Sequence, residues 1–443
     1  MHAFENATRF RFTGHHYDAA TGTATLSYHV DSHLLEETIT FPWAPWPADA
    51  SRQAAFFQAL EVLHLIAGIS YYKAGLAAEI DLNTCRVDDA LAGFLNDLYL
   101  QGLGEFAYVN GLELSSLIKF RANTDTHAAS RPLDLPERAM VAMGGGKDSL
   151  VCLQMLKTAG IEVQPACVGN SKLITDTVKS AGLPLISIGR KLSPVLAKWN
   201  AEGAWNGHVP VTAINSAILL CASLLYGYRY IVFANESSAN EATLTDSGGR
   251  DVNHQYSKSL AFEQALRRVI LDRVSPNLEY FSLLRPFGEI AIARRFAELT
   301  DYHTVFSSCN RNFHQEGARI EGRWCQDCPK CRFAALALAP FLTPDELMAI
   351  QGIDLLDQQD QLTGFRELCG LGENKPFECV GSIKESRAAM KKLASRTEWR
   401  NKAVIRALAD REEIQQASPL ELAPDPAAKH FIPSAIMSKL DAF

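Results

Sequence analysis

The sequence predicts an α/β fold: a doubly wound parallel sheet with an N-terminal α+β domain before it and a helical C-terminal region after it. Three observations carry this reading. From Arg138 onward, short apolar runs alternate with amphipathic stretches, the rhythm of a parallel sheet covered by helices. The first fifty residues instead alternate apolar and polar side chains, as strands with one buried face do. Beyond Leu342 the chain carries helix signals alone. Residues 1–130 are therefore expected as the α+β domain with antiparallel strands, 131–342 as the parallel-sheet domain and 343–443 as the helical region.

The elements follow in order. Strands are expected at 10–13, 23–30 and 36–41, with Asp18-Ala-Ala-Thr-Gly22 as the first turn. Pro42, Pro45 and Pro47 then stop the sheet, because proline cannot donate to a ladder. Residues 53–69 place Phe56, Leu60, Leu63 and Ala67 at helical spacing, and 91–103 read as another helix. Buried strands are expected at 139–143, 163–168, 185–188 and 230–234, with helices at 149–158, 173–180, 194–199 and 211–226 between them. A helix at 257–273 follows, then a strand near Tyr280, a helix after Pro286 and a strand at 303–306. Thr343-Pro-Asp-Glu346 is a capping box with proline at the first helical position. Segments 385–395 and 400–411 are the clearest of the later helices.

Composition narrows the function. Hydrophobic residues make up 47% and charged residues 21% of the 443, which excludes a disordered or fibrous chain. Asp plus Glu (50) outnumber Lys plus Arg (43), for a net charge of −7, so no global charge favours nucleic acid and small molecules are the expected partners. The start of the chain lacks the charged-then-apolar order of a signal peptide. The apolar runs 217–225 and 333–342 are too short to span a bilayer, so a cytoplasmic protein with no membrane contact is expected. Its ten cysteines should then be thiols or metal ligands, not disulfides.

Two motifs carry chemistry. Met143-Gly-Gly-Gly-Lys-Asp-Ser149 lies between an expected strand and an expected helix. Glycines let the backbone turn tightly and present N–H groups to an anion, and the helix start adds its positive dipole end. Gly144, Gly145, Gly146, Lys147, Asp148 and Ser149 thus form a candidate phosphate site. In the second motif, Cys325-Gln-Asp-Cys328-Pro-Lys-Cys331 has two-residue gaps that let thiolates converge on one ion. With Cys309 as the fourth ligand, a closed tetrahedral zinc site is expected.

The glycine loop resembles the Ser-Gly-Gly-x-Asp-Ser pyrophosphate loop (PP-loop) of the ATP pyrophosphatase superfamily, with Gly144 in place of the first serine. The cysteine cluster followed by Arg332-Phe333, the segment His208-Val-Pro-Val-Thr-Ala-Ile-Asn215 and the run Phe233-Ala-Asn-Glu-Ser-Ser-Ala-Asn240 are similar to its queuosine-precursor branch. Across nearly the whole chain, Gly-Gly-Gly-Lys-Asp-Ser, Val252-Asn-His-Gln-Tyr-Ser-Lys-Ser259, Cys309-Asn-Arg and Lys375-Pro-Phe-Glu-Cys-Val-Gly381 resemble the UDP-N-acetylmuramoyl-L-alanyl-L-glutamate epimerase family. That resemblance implies ATP and magnesium as cofactors and UDP-MurNAc-L-Ala-L-Glu as substrate. It also implies a place in peptidoglycan synthesis after a ligase that adds L-Glu. An amide- or nitrile-forming synthase on a small carboxylate, with the same loop and cluster, is the competing reading.

Inverting an amino acid requires removal of its α-hydrogen, which a free neighbouring carboxylate keeps very weakly acidic. Adenylating the α-carboxylate removes that charge and leaves a carbonyl into which the carbanion can delocalise. In this scheme Gly144 to Ser149 hold the β- and γ-phosphates, Lys147 offsets charge as pyrophosphate departs, and Asp148 contacts magnesium or caps the helix. Cys379, His254 and Glu236 are the proton-transfer candidates. Arg285, Arg311, Arg319 and Arg323 are candidates for the diphosphate of the UDP-sugar.

Overall fold

The computed structural model describes residues 7–126, 129–240, 244–245, 251–312, 320, 322–372, 376, 378 and 380–440, with the backbone alone at 244, 245, 251 and 252. Its strands are β1 (Arg9–Asp18), β2 (Thr23–Val30), β3 (His33–Thr40), β4 (Glu79–Asp81), β5 (Arg138–Ala142), β6 (Glu162–Val168), β7 (Ile186–Lys191), β8 (Tyr230–Phe233), β9 (Leu244–Thr245), β10 (Asp251–Val252) and β11 (Glu279–Ser282). Nine form one sheet in the order β11-β8-β5-β6-β7-β3-β2-β1-β4, and β9 with β10 makes a separate ribbon. The five strands β11, β8, β5, β6 and β7 are parallel neighbours. The chain leaves β5 for β6 on one side and later returns to β8 on the other, so the strand order reverses beside the end of β5. Ligands of open α/β sheets bind at such reversal points.

The sheet runs on across residue 130. β7 pairs antiparallel with β3 through Thr38↔Lys191, Ile39↔Arg190 and Thr40↔Gly189. The antiparallel β1–β3 meander thereby covers what would be an exposed edge of β7. Arg190 Nε and the fully buried Glu37 Oε1, 2.6 Å apart, pin the junction. Each segment carries complete local strand signals, so the sequence reads two units where backbone pairing joins them.

Alternate strand residues enter two different cores, one on each face. Met140, Ala166, Ile188, Ile231 and Tyr280 face the first, with the helices Ala50–Ala67 and Val211–Tyr226. Ala139, Val141, Cys167, Val232 and Phe281 face the second, with Lys147–Thr158, Glu289–Ala297, Pro329–Leu338 and the C-terminal helix Ile383–Ala394. The protein is therefore α/β, with a mostly parallel sheet covered on both faces.

Three expectations need correction. Residues 303–306 are a turn and an irregular segment after the 3-10 turn Thr300–Tyr302, not a strand. The apolar signal there is Phe306, fully buried against Phe296 with ring centroids 4.3 Å apart. The helix expected at 257–273 breaks into the 3-10 turn Tyr256–Lys258, an α-helix Leu260–Val269 and a π turn Ile270–Val274. Ser259 interrupts it, because its hydroxyl caps the second piece by accepting from Phe262 N at 3.2 Å. Finally, Ala50–Gly75 is apolar and long enough to cross a membrane, but its most apolar window is 78% buried as a core helix.

Candidate active site

The glycine loop joins β5 to the helix Lys147–Thr158 at the reversal point of the sheet. Gly145 adopts φ +75°, and a Cβ there would sit 3.1 Å from Leu173 Cδ2, so both conformation and space call for glycine. A Cβ on Gly144 would meet nothing within 4 Å, which marks the open side of the loop. Ser149 Oγ donates to Gly146 O at 3.1 Å and braces the turn. Gly146 holds the N-cap position with no side-chain cap, so helix N–H groups face outward as an anion site does. Asp148 therefore does not cap the helix; its carboxylate turns instead to Lys147 Nζ, 2.5 Å away.

Lys147 is almost fully buried and also pairs with Glu289, the first residue of the helix Glu289–Ala297. Burial opposes its charge, but Asp148 and Glu289 outweigh that and hold the ammonium well above its ordinary range. Glu236, just after β8, is buried as well; Ser238 N and Ser238 Oγ donate to it. Burial pushes its carboxyl up to about 7, opposed by the Ser238 N–H and reinforced by Glu385 and Asp148. Burial likewise raises Glu289 well above the carboxylate range, against the pull of Lys147. Glu385 reaches the group from the C-terminal region: it closes a capping box on Ser382 and accepts from Ile290 N at 3.3 Å. One ammonium cannot neutralise this set, so a carboxyl here holds a proton at neutral pH unless a cation enters. Asp148 is the more exposed of the two carboxylates on Lys147, and its oxygens suit a hard divalent ion such as magnesium.

The cysteine cluster adjoins the same loop. The Sγ atoms of Cys309, Cys325, Cys328 and Cys331 all lie within 4.8 Å of one another. Cys325–Cys331 is 3.8 Å, Cys328–Cys309 3.9 Å and Cys328–Cys331 3.5 Å. Tetrahedral Zn–S bonds of about 2.3 Å put sulfurs about 3.8 Å apart, so this donor set fits zinc. Hydrogen bonds with Cys309 and Cys331 favour the Cys328 thiolate, and those with Cys309 and Cys328 raise Cys331. Four thiolates could share this space only around a cation. Between cluster and loop runs Ser307-Ser308-Cys309: Ser307 N donates to Gly145 O at 3.2 Å, and Cys309 N to Ser307 Oγ at 3.0 Å.

The remaining candidates fall elsewhere. Cys379 and Arg319 lie outside the described residues; Glu378, beside Cys379, accepts a hydrogen bond from Asn310, next to Cys309. His254 sits in a second group, bonded to Glu105 with His208 beside it. Arg285 is buried and ion-paired to Glu263 at 2.7 Å, so it braces the core beneath Glu236, whose carbonyl it also reaches. Arg311 pairs with Asp327 on the surface. Arg323 Nε is buried with no hydrogen-bond partner among the described residues. Glu289 and Glu385 escaped the sequence reading. Gly288-Glu289 and Ser382-x-x-Glu385 signal helix starts, but nothing local says that Glu289 reaches Lys147 or that Glu385 reaches Ile290 N.

Loop, buried lysine and carboxylates at a sheet reversal, with a four-thiol centre against the loop, define an α/β enzyme with a candidate anion site. The chain belongs to the MurL family: residues 1–283 match the MurL N-terminal domain and 305–422 the MurL C-terminal domain. It is an isomerase of the epimerase type. It is 45% identical to a UDP-N-acetyl-alpha-D-muramoyl-L-alanyl-L-glutamate epimerase of Xanthomonas oryzae pv. oryzae, over 100% of this chain and 99% of that relative. Relatives with the same description from Salinispora tropica and a Micromonospora species are each 38% identical over 90% of this chain, covering 88% and 90% of their own lengths.

Proposed function

We propose that this chain inverts the terminal L-Glu of UDP-MurNAc-L-Ala-L-Glu to D-Glu in peptidoglycan precursor synthesis, at the expense of ATP. On a doubly wound PP-loop core, the α-carboxylate displaces pyrophosphate from ATP to form an acyl-adenylate. The α-proton is removed and one is returned on the other face, and water then cleaves the adenylate to release AMP. The observation that carries this reading is the uncapped glycine loop with Lys147 set among carboxylates at the sheet reversal. The names of the relatives supply the substrate. A ligase that adds L-Glu would furnish that substrate in the cytoplasm, where thiols stay reduced.

Gly144 to Ser149 would hold the β- and γ-phosphates through backbone N–H groups and the helix start. Asp148 would contact magnesium, which when bound supplies positive charge against the phosphate oxygens. Lys147 stabilises the negative charge that develops on departing pyrophosphate. Cys309, Cys325, Cys328 and Cys331 would hold zinc and fix Ser307 against Gly145.

Glu236 is the proton-transfer group we favour, because it is buried just after β8 and that burial pushes its carboxyl up to about 7. The base must be ionised to accept the α-proton, so the exchange rate rises as pH rises through about 7. Glu236→Gln should keep pyrophosphate release while α-proton exchange falls roughly 100- to 10,000-fold. Equal losses in both assays would instead make Glu236 part of nucleotide binding. The overall reading is tested by supplying ATP, magnesium and UDP-MurNAc-L-Ala-L-Glu and assaying pyrophosphate and glutamate chirality together. Pyrophosphate with glutamate still L would point to an amide- or nitrile-forming synthase.

A further inference from the structure

A second polar cluster forms where three distant segments meet. Glu105 comes from the helix Gly104–Asn110, His208 from the segment before the helix Val211–Tyr226, and His254 from the turn after β10. One potential ligand atom from each lies within 4.8 Å of the other two. Both histidines address the same carboxylate oxygen: His208 Nδ1 is 3.4 Å from Glu105 Oε2, and His254 Nδ1 is bonded to it. The side chains are 27%, 19% and 16% exposed for His208, Glu105 and His254, so the group is largely dry yet open on one side.

The segments are held independently of the cluster. Asn206, two residues before His208, accepts from the buried Lys73 Nζ at 2.7 Å. Asn253, next to His254, donates to Ala239 O at 3.0 Å and accepts from Gln255 N at 2.8 Å. Convergence is therefore built into the fold.

The ring centroids of His208 and His254 are 4.7 Å apart. A carbon between two rings needs about 3.5–4.0 Å on each side, so these imidazoles cannot flank an α-carbon as a two-face proton-transfer pair. They can share a small cation with the carboxylate. Two imidazoles and a carboxylate suit zinc, iron and manganese better than magnesium, and three protein ligands leave coordination positions open.

We propose that Glu105, His208 and His254 form an open site for a divalent transition-metal ion, zinc foremost, distinct from both the four-cysteine centre and the carboxylates around Lys147. Binding there needs neither nucleotide nor substrate, so it stands or falls apart from the epimerase reading.

The test uses the full chain, stripped by chelator and then dialysed against cobalt(II) or zinc. Two equivalents should bind. The cobalt form should show intense thiolate charge transfer from one ion and weak visible bands of nitrogen–oxygen ligation from the other. Glu105→Gln, close in shape, should lose the second signal and keep the first. Its affinity for the second ion should fall by more than the roughly 10–100-fold that loss of an outer partner costs. Cys328→Ser should show the reverse. A wild-type chain that takes only the thiolate-bound ion overturns the proposal without recourse to any variant. So does a folded Glu105→Gln chain that binds both ions as tightly as before.

Discussion

Lys147→Met is expected to lower ATP-dependent turnover roughly 100- to 1000-fold, the scale of losing one charge-stabilising group for a departing anion. The side chain is 5% exposed and is the cation set between Asp148 and Glu289. Without it, the loop faces acidic side chains with no cation among them, and nucleotide binding weakens. Asp148→Asn should reduce turnover comparably while thermal stability changes little, since Gly146 rather than Asp148 holds the N-cap position. Steady-state kinetics beside a thermal melt separate the two effects. Wild-type turnover in Lys147→Met would remove the loop from the chemistry.

The second large effect is expected for Cys328→Ser. Structural zinc sites bind with about 10–16 kcal/mol of apparent free energy in small peptides, comparable to the 5–15 kcal/mol total stability of a domain. Loss of one thiolate should therefore release the ion and lower both melting temperature and soluble yield. The change should also reach the loop, because Cys309 N bonds to Ser307 Oγ and Ser307 N to Gly145 O. Weaker ATP binding in whatever protein remains soluble is the expected second symptom. Undiminished zinc content and an unchanged melt would make the four thiols mere packing.

What could be read from the sequence was what lies close together along the chain. The helix Val211–Tyr226 and strand β2 were expected at their observed bounds, because apolar spacing and bounding turns settle them locally. The glycine loop and the run Cys325 to Cys331 were legible for the same reason, each being a few residues long. The junction of β3 with β7 was not, since pairing between strands 150 residues apart leaves no local mark. Glu289 and Glu385 were missed likewise: each reads as the acidic start of a helix, and only packing brings Glu289 to Lys147 and Glu385 to Ile290 N. His254 was singled out by its motif, but its companions Glu105 and His208 come from other segments. Asp148 was read as a magnesium contact or a cap, the latter because aspartate favours that role. Here the glycine before Lys147 takes the N-cap position and leaves the carboxylate to the lysine.

The central claim is that activation of the α-carboxylate precedes removal of the α-proton. The most direct measurement incubates the protein with UDP-MurNAc-L-Ala-L-Glu and magnesium in deuterium oxide, with and without ATP, and follows deuterium at the glutamate α-carbon by mass spectrometry. With ATP, the inverted glutamate should carry deuterium while AMP and pyrophosphate accumulate. Without ATP, the α-proton should stay in place, because the free carboxylate keeps it too weakly acidic. Deuterium entering the α-carbon in the absence of nucleotide would contradict the account.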